Sequence, residues 1–182
     1  MLRKIVATLL LLVLVLVVVV ALQPDDFRIE RSTSVAAPPP VVYALITDFH
    51  HWDLWSPWAK LDPSMKKQYG GPPHGKGATY EWAGNDHVGE GRMEITDVRD
   101  DREVTIDLAF IAPFEAHNTA LFTLEPQPEA STRVTWAMLG KNGFLSKAFG
   151  LFMDVDAMLG KDFERGLADL KRAAEQRARP TE

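Results

Sequence analysis

The stretch REVTIDLAFI, Arg102 to Ile111, decides the fold. Val104, Ile106, Leu108 and Phe110 occupy every second position. Side chains on a strand alternate between its two faces, so this spacing predicts one covered face and one wet face. Asp100-Asp101 precedes the run as a turn, and Ala112-Pro113-Phe114 follows it. The same period of two recurs on both sides. KKQYG and KGATYEWAG flank the loop GGPPHG, VGEGRMEITDV comes next, and EAHNTALFTLE and TRVTWAML follow. Such runs with short connections predict an antiparallel meander.

Further out, Phe27 to Val35 reads as a first strand, which brings the sheet to about seven strands. AAPPP stops that strand, and VVYALITDF resumes at helical spacing through Val42, Leu45, Ile46 and Phe49. Proline suits a helix start, where its missing N–H would have no partner anyway. At the other end one long helix is expected from about Phe144 to Arg177. Phe149, Phe152, Met153, Leu159, Phe163, Leu167 and Leu170 form its apolar stripe, with Lys161, Arg165, Asp169 and Arg172 opposite. A curved antiparallel sheet wrapped on one long helix, with two short helices after the first strand, covers both apolar faces. The fold class is α+β. A strongly bent sheet cannot touch its helix everywhere, so a cavity between them is expected.

Before the first strand, IVATLLLLVLVLVVVVAL fills residues 5–22 with Thr8 as the sole polar interruption. As a helix it would span roughly 27 Å, close to the hydrocarbon thickness of a bilayer. Arg3 and Lys4 precede it and Asp25 and Asp26 follow. The positive-inside rule then predicts a single-pass membrane protein with a cytoplasmic N-terminus and the body on the outer side. A cleaved signal peptide is the alternative, although the apolar run exceeds the ~7–15 residues usual for one. The expected organisation is an anchor over 1–22, a linker over 23–26, the domain over 27–177 and a flexible tail over 178–182. The sequence has no cysteine, which excludes disulfides and thiolate chemistry. Without residues 1–22 the chain loses two basic side chains and no acid, leaving 18 basic against 25 acidic. Such a surface repels nucleic acid, so none is expected as a partner.

Several short motifs carry a resemblance: Ala37-Pro38 after the first strand, Val42, Asp48, Trp52, and the corner Trp55-Ser56-Pro57-Trp58. Gly89-Glu90-Gly91-Arg92-Met93-Glu94-Ile95, Thr135-Trp136 and the closing helix continue it. In that order they resemble the START-like helix-grip superfamily, especially its polyketide cyclase/dehydrase and lipid-transport branch, over about residues 27–175. The resemblance implies a pocket between sheet and helix. It does not imply one chemistry, because such folds serve carriers, receptors, cyclases and co-chaperone partners alike.

FHHWDLWSPW, Phe49 to Trp58, invites a metal reading. A metal needs at least three convergent ligands, and His74, His87 and His117 lie in other predicted loops or strands. We therefore read the stretch as a packed corner, with the histidines toward solvent and one aromatic lining a pocket entrance. Neither a metal nor a cofactor is expected.

Strand parity nominates the pocket wall: Tyr80, Trp82, Gly89, Gly91, Met93, Leu108, Phe110, Asn118, Phe122 and Trp136, with Phe152 and Asp156 from the helix. Gly89 and Gly91 either leave room for a ligand or relieve strain in a curved strand. Asp156 falls near the centre of the helix stripe, so it needs a partner, for which Tyr80, Asn118 and Arg31 are candidates. If buried, its pKa would rise, which makes it the candidate acid/base residue. GGPPHGKG has the wrong order for a phosphate-binding loop. Three functions remain open: a membrane-anchored domain binding a hydrophobic small molecule, a cyclase or dehydratase using the same cavity, and a protein-interaction module. No protein partner can be named from the sequence.

Overall fold

The computed structural model describes residues 1–179. The seven expected strands form one antiparallel sheet: β1 (Asp26–Val35), β2 (Lys66–Gly70), β3 (Thr79–Ala83), β4 (Glu90–Arg99), β5 (Glu103–Ala112), β6 (Ala116–Gln127) and β7 (Ser131–Lys141). Their order across the sheet is β1-β7-β6-β5-β4-β3-β2, so the meander from β2 to β7 closes with β1 at its far edge. Register follows the alternation that REVTIDLAFI announced. Val104, Ile106 and Leu108 of β5 face Phe122, Ala120 and Asn118 of β6, and Phe122 in turn faces Trp136 of β7. Register shifts at Glu90/Gly91 and Ile95/Asp97 bend β4, as bulges do.

Helix α1 (Leu2–Ala21) precedes the sheet and α2 (Pro39–Thr47) follows β1, with proline in its first turn. Two 3-10 turns, Phe49–Leu54 and Pro57–Lys60, complete the corner before β2. Along α1 the side chains are exposed except Val20. It is long and apolar enough to cross a membrane, and a signal sequence would have the same character.

The single helix expected over 144–177 is two helices. α3 (Phe144–Gly150) ends at a glycine, and α4 (Val155–Ala178) starts afresh at Asp154, whose carboxylate accepts the Ala157 N–H at 2.9 Å. A glycine followed four residues later by an N-capping aspartate is a stop and start signal that the hydrophobic stripe overrode. Phe149, Phe152 and Met153 consequently leave the stripe and stand exposed. The stripe that does pack on the sheet is Gly160, Phe163, Gly166, Leu167, Leu170 and Ala174. The expected tail over 178–182 begins on the last residue of α4, and residues 180–182 lie outside the described ones.

Candidate functional site: a cavity beneath the tryptophan corner

Beneath the middle of α4 the sheet and helix are in full contact. The Trp136 indole lies flat on the Phe163 ring at 4.2 Å between centroids, with Phe122 stacked against it at 5.1 Å. Trp55 meets both edge-on. Gly166 makes this approach possible, since a Cβ there would sit 2.8 Å from Trp136 Cζ3 and 3.0 Å from Pro57 Cδ. The corner FHHWDLWSPW closes this end. Trp52 and Trp55 are buried and donate their indole N–H groups to the carbonyls of Ile46 (2.9 Å) and Leu45 (3.0 Å). His50 stacks on Tyr69 at 4.1 Å and pairs with Asp48, so neither adjacent histidine reaches the interior.

Where the sheet runs beneath the corner's two 3-10 turns there is a cavity of about 160 Å³. None of its lining residues belongs to α4, so the space expected between sheet and long helix lies instead between sheet and corner. Tyr80, Trp82, Met93, Leu108, Phe110 and Trp136, six of the twelve expected wall residues, line it. Trp52 and Trp58 add the corner's contribution, and exposed Asp53 and His87 stand at its rim. Burial pushes the Tyr80 phenol well above its ordinary pKa, so it remains a neutral hydroxyl. Trp136 is buried to within 2% of its surface, and its Nε1–H has no hydrogen-bond partner. Cζ3 lies diametrically across the indole from Nε1, so with Cζ3 against Gly166 the N–H edge is turned away from the helix. A buried donor left in this state costs roughly 1–3 kcal/mol.

The remaining six residues sit elsewhere. Asn118, Phe152 and Asp156 line a separate open groove of about 1150 Å³ between the β1–β7 edge, α3 and the start of α4. Phe122 is wholly buried in the aromatic stack and reaches neither space. Gly91 is filled from within, because a Cβ there would run into the Trp82 ring. Gly89 is not on the wall. It has φ +62° in the turn before β4, where a Cβ would collide with the Ala112 carbonyl. Gly89 thus serves the backbone of its turn, and the room at Gly91 is taken up by the Trp82 ring.

Asp156 corrects another expectation. Its side chain is 57% exposed in the first turn of α4, bound to Arg31 at 2.8 Å, and Glu164 shares the same guanidinium at 3.2 Å. That hydrogen bond holds the Asp156 carboxyl below the usual carboxylate range, where burial would have raised it. Of the three partners considered, Arg31 is the one that meets it.

Sequence reasoning passed over Asp62. Its buried carboxylate accepts the Ser64 hydroxyl (2.7 Å), the Ser64 N–H (3.0 Å) and the Asn85 N–H (2.8 Å), which ties the β3–β4 turn at the cavity rim to the corner. The Ser64 hydrogen bond foremost keeps that carboxyl below its ordinary pKa. An aspartate before Pro63-Ser64 is an Asx-turn signal and was readable. Trp58, Phe110 and Met138 line both the cavity and the groove, and so form the partition between them.

A seven-stranded antiparallel sheet gripping a long C-terminal helix defines the helix-grip class. The family of polyketide cyclases/dehydrases and lipid-transport proteins matches residues 26–175, and this chain belongs to it. Solved structures agree on the fold. A protein from Mesorhizobium loti is 16% identical, with 82% of this chain and 98% of that one aligned at a TM-score of 0.58. The Aha1 dimer from Colwellia psychrerythraea is 19% identical, covering 82% and 96% at 0.58. A protein of unknown function from Staphylococcus aureus is 13% identical, covering 84% and 96% at 0.59. Identities this low speak for the fold alone. No curated protein matches the sequence.

Proposed function

We propose that this protein is a membrane-anchored binding domain that holds an apolar small molecule between the sheet and the tryptophan corner. The carrying observation is an apolar cavity walled by aromatic and methionine side chains, with Tyr80 and Ser56 among its few polar groups. Apolar pockets with few, well-placed polar groups are the usual form of such sites. The volume limits the guest. A cavity of about 150 Å³ is known to hold one benzene-sized molecule. One ring, or the end of an acyl or isoprenoid chain, therefore fills this one, and a longer ligand must continue past Trp58, Phe110 and Met138 into the groove. Residues 5–22 act as the anchor, 23–26 as the linker and 27–177 as the binding domain.

The cyclase or dehydratase reading would need a proton donor or acceptor of tuned pKa at the cavity. Asp156 faces the groove and is held ionised by Arg31, which favours the binding reading. The test is to purify the full chain, extract it with organic solvent and identify neutral lipids by mass spectrometry, beside Ala120→Leu. Ala120 lines the cavity, so leucine fills part of the space. Wild type is expected to carry an apolar molecule that the variant lacks while melting no lower. Equal lipid content in both would overturn the proposal.

A further inference from the structure

Outside the anchor, residues 1–22, exposed large apolar side chains are not spread evenly. Apart from Leu54 and Leu61 at the corner, those among the described residues lie on α3, on the loop to α4, on the start of α4, or on the end of β5 and the turn after it. Leu145 is 71% exposed, Phe149 62%, Phe152 80% and Phe114 81%. Register puts these places at one end of the sheet. Phe27 pairs with Gly140, Gly140 with Asn118, and Asn118 with Leu108, and the β5–β6 turn and the end of β7 both lie just beyond that row. The same end receives the anchor.

The attachment there is tight. Lys147 of α3 pairs with Asp25 of the linker, the Asn142 N–H donates to the Asp25 carbonyl at 2.6 Å, and α1 packs against α3. Asp25 lies three residues past Leu22, so the chain can carry it at most about 11 Å from the helix end. The headgroup layer on each side of a bilayer is itself roughly 5–8 Å deep. A domain clamped this way cannot lift its α3 end far from the lipid. Aromatic and leucine side chains presented at that depth enter the boundary between headgroups and acyl chains. Apolar patches of this kind on soluble surfaces mark interaction sites.

We propose that α3, the loop to α4 and the β5–β6 turn rest in the interfacial layer of the bilayer that α1 spans, so that the groove opens onto lipid. The proposal builds on the anchor reading above. Phe27, Phe149, Phe152, Met153 and Leu159 line the groove, and its inner end is the partition of Trp58, Phe110 and Met138. A bilayer-dissolved molecule can then pass into the cavity without crossing water. The domain carries excess negative charge, so the contact is apolar insertion and not attraction to anionic headgroups, and added salt should leave it intact.

The lack of cysteine makes the test clean. Single-cysteine variants Leu12→Cys, Leu145→Cys, Phe152→Cys, Phe114→Cys and Glu129→Cys are labelled with an environment-sensitive fluorophore. The full chain is reconstituted in zwitterionic vesicles with nitroxide lipids at deep or shallow positions. Glu129 lies on the β6–β7 turn at the opposite end of the sheet. The expected result is deep quenching at 12, shallow quenching at 145, 152 and 114, and none at 129, unchanged at about 0.5 M salt where screening extends only a few Å. If position 12 is quenched but 145, 152 and 114 behave like 129, this inference falls and the anchor stands. If position 12 is not quenched, the anchor reading falls and takes this one with it.

Discussion

One sheet meets its closing helix in two different ways. Under the middle of α4 the contact is solid: Trp55, Phe122, Trp136 and Phe163 stack with no intervening space, and Gly166 lets the helix approach. Toward α3 the contact fails, because α4 starts only at Val155 and the sheet bends away. That failure is the groove, and the cavity lies beside it under the corner, across Trp58, Phe110 and Met138. The closed half supplies the stability on which the open half depends, and the open half is where the proposed ligand and membrane contacts would be made.

The largest effect should separate the two halves directly. Trp55→Ala removes a wholly buried indole and its hydrogen bond to Leu45, and should cost about 3–5 kcal/mol of unfolding free energy. Phe152→Ala, on the exposed side, should shift it by no more than about 0.5 kcal/mol. Denaturant unfolding of the full chain in detergent measures both, and similar losses would erase the distinction. Next come two glycines on one helix. Gly166→Ala forces a methyl against Trp136 and Pro57 and should destabilise by about 1–3 kcal/mol. Gly160→Ala meets only the guanidinium of Arg31, the far end of a flexible chain, and alanine's better helix propensity offsets that. Its net effect should stay within about 1 kcal/mol.

Trp136→Phe preserves an aromatic stack and removes the unpaired donor. The unliganded protein should hold or gain up to about 1 kcal/mol. Denaturant unfolding measures the change, and a clear loss of stability would mean that the N–H has a partner. The smallest effect concerns Asp156. Its folded pKa lies below the ordinary 3.8, so the contribution of the Arg31 pair is present above that value and disappears as pH falls through the folded one. Asp156→Asn should thus differ slightly from wild type at pH 6 and coincide with it in strong acid. A difference that persists in acid would assign the effect to packing.

Strand period and turn residues carried the sheet, because alternation on a half-buried strand is a local pattern. Tyr80, Trp82, Met93, Leu108, Phe110 and Trp136 were placed on the cavity by that same parity. What the pattern could not convey was where the helix begins. Phe149 and Phe152 fit the stripe geometrically, yet Gly150 and Asp154 break the helix between them and Phe163. Phe122 shows a second limit: parity tells inward from outward, but not whether the inside is stacked solid or empty. Asp156 shows a third, since its partner Arg31 lies 125 residues away and only the tertiary structure brings them together.

The most direct test uses the methionines already present. Met65, Met93 and Met138 line the cavity, while Met1 and Met158 are exposed outside it. Methyl spectra of the reconstituted full chain, labelled at methionine and titrated with a medium-chain ketone, should show saturable shifts at the three interior methyls and none at the other two. Interior methyls that stay fixed while ligand is added, or methyls that all drift together without saturation, would contradict the account.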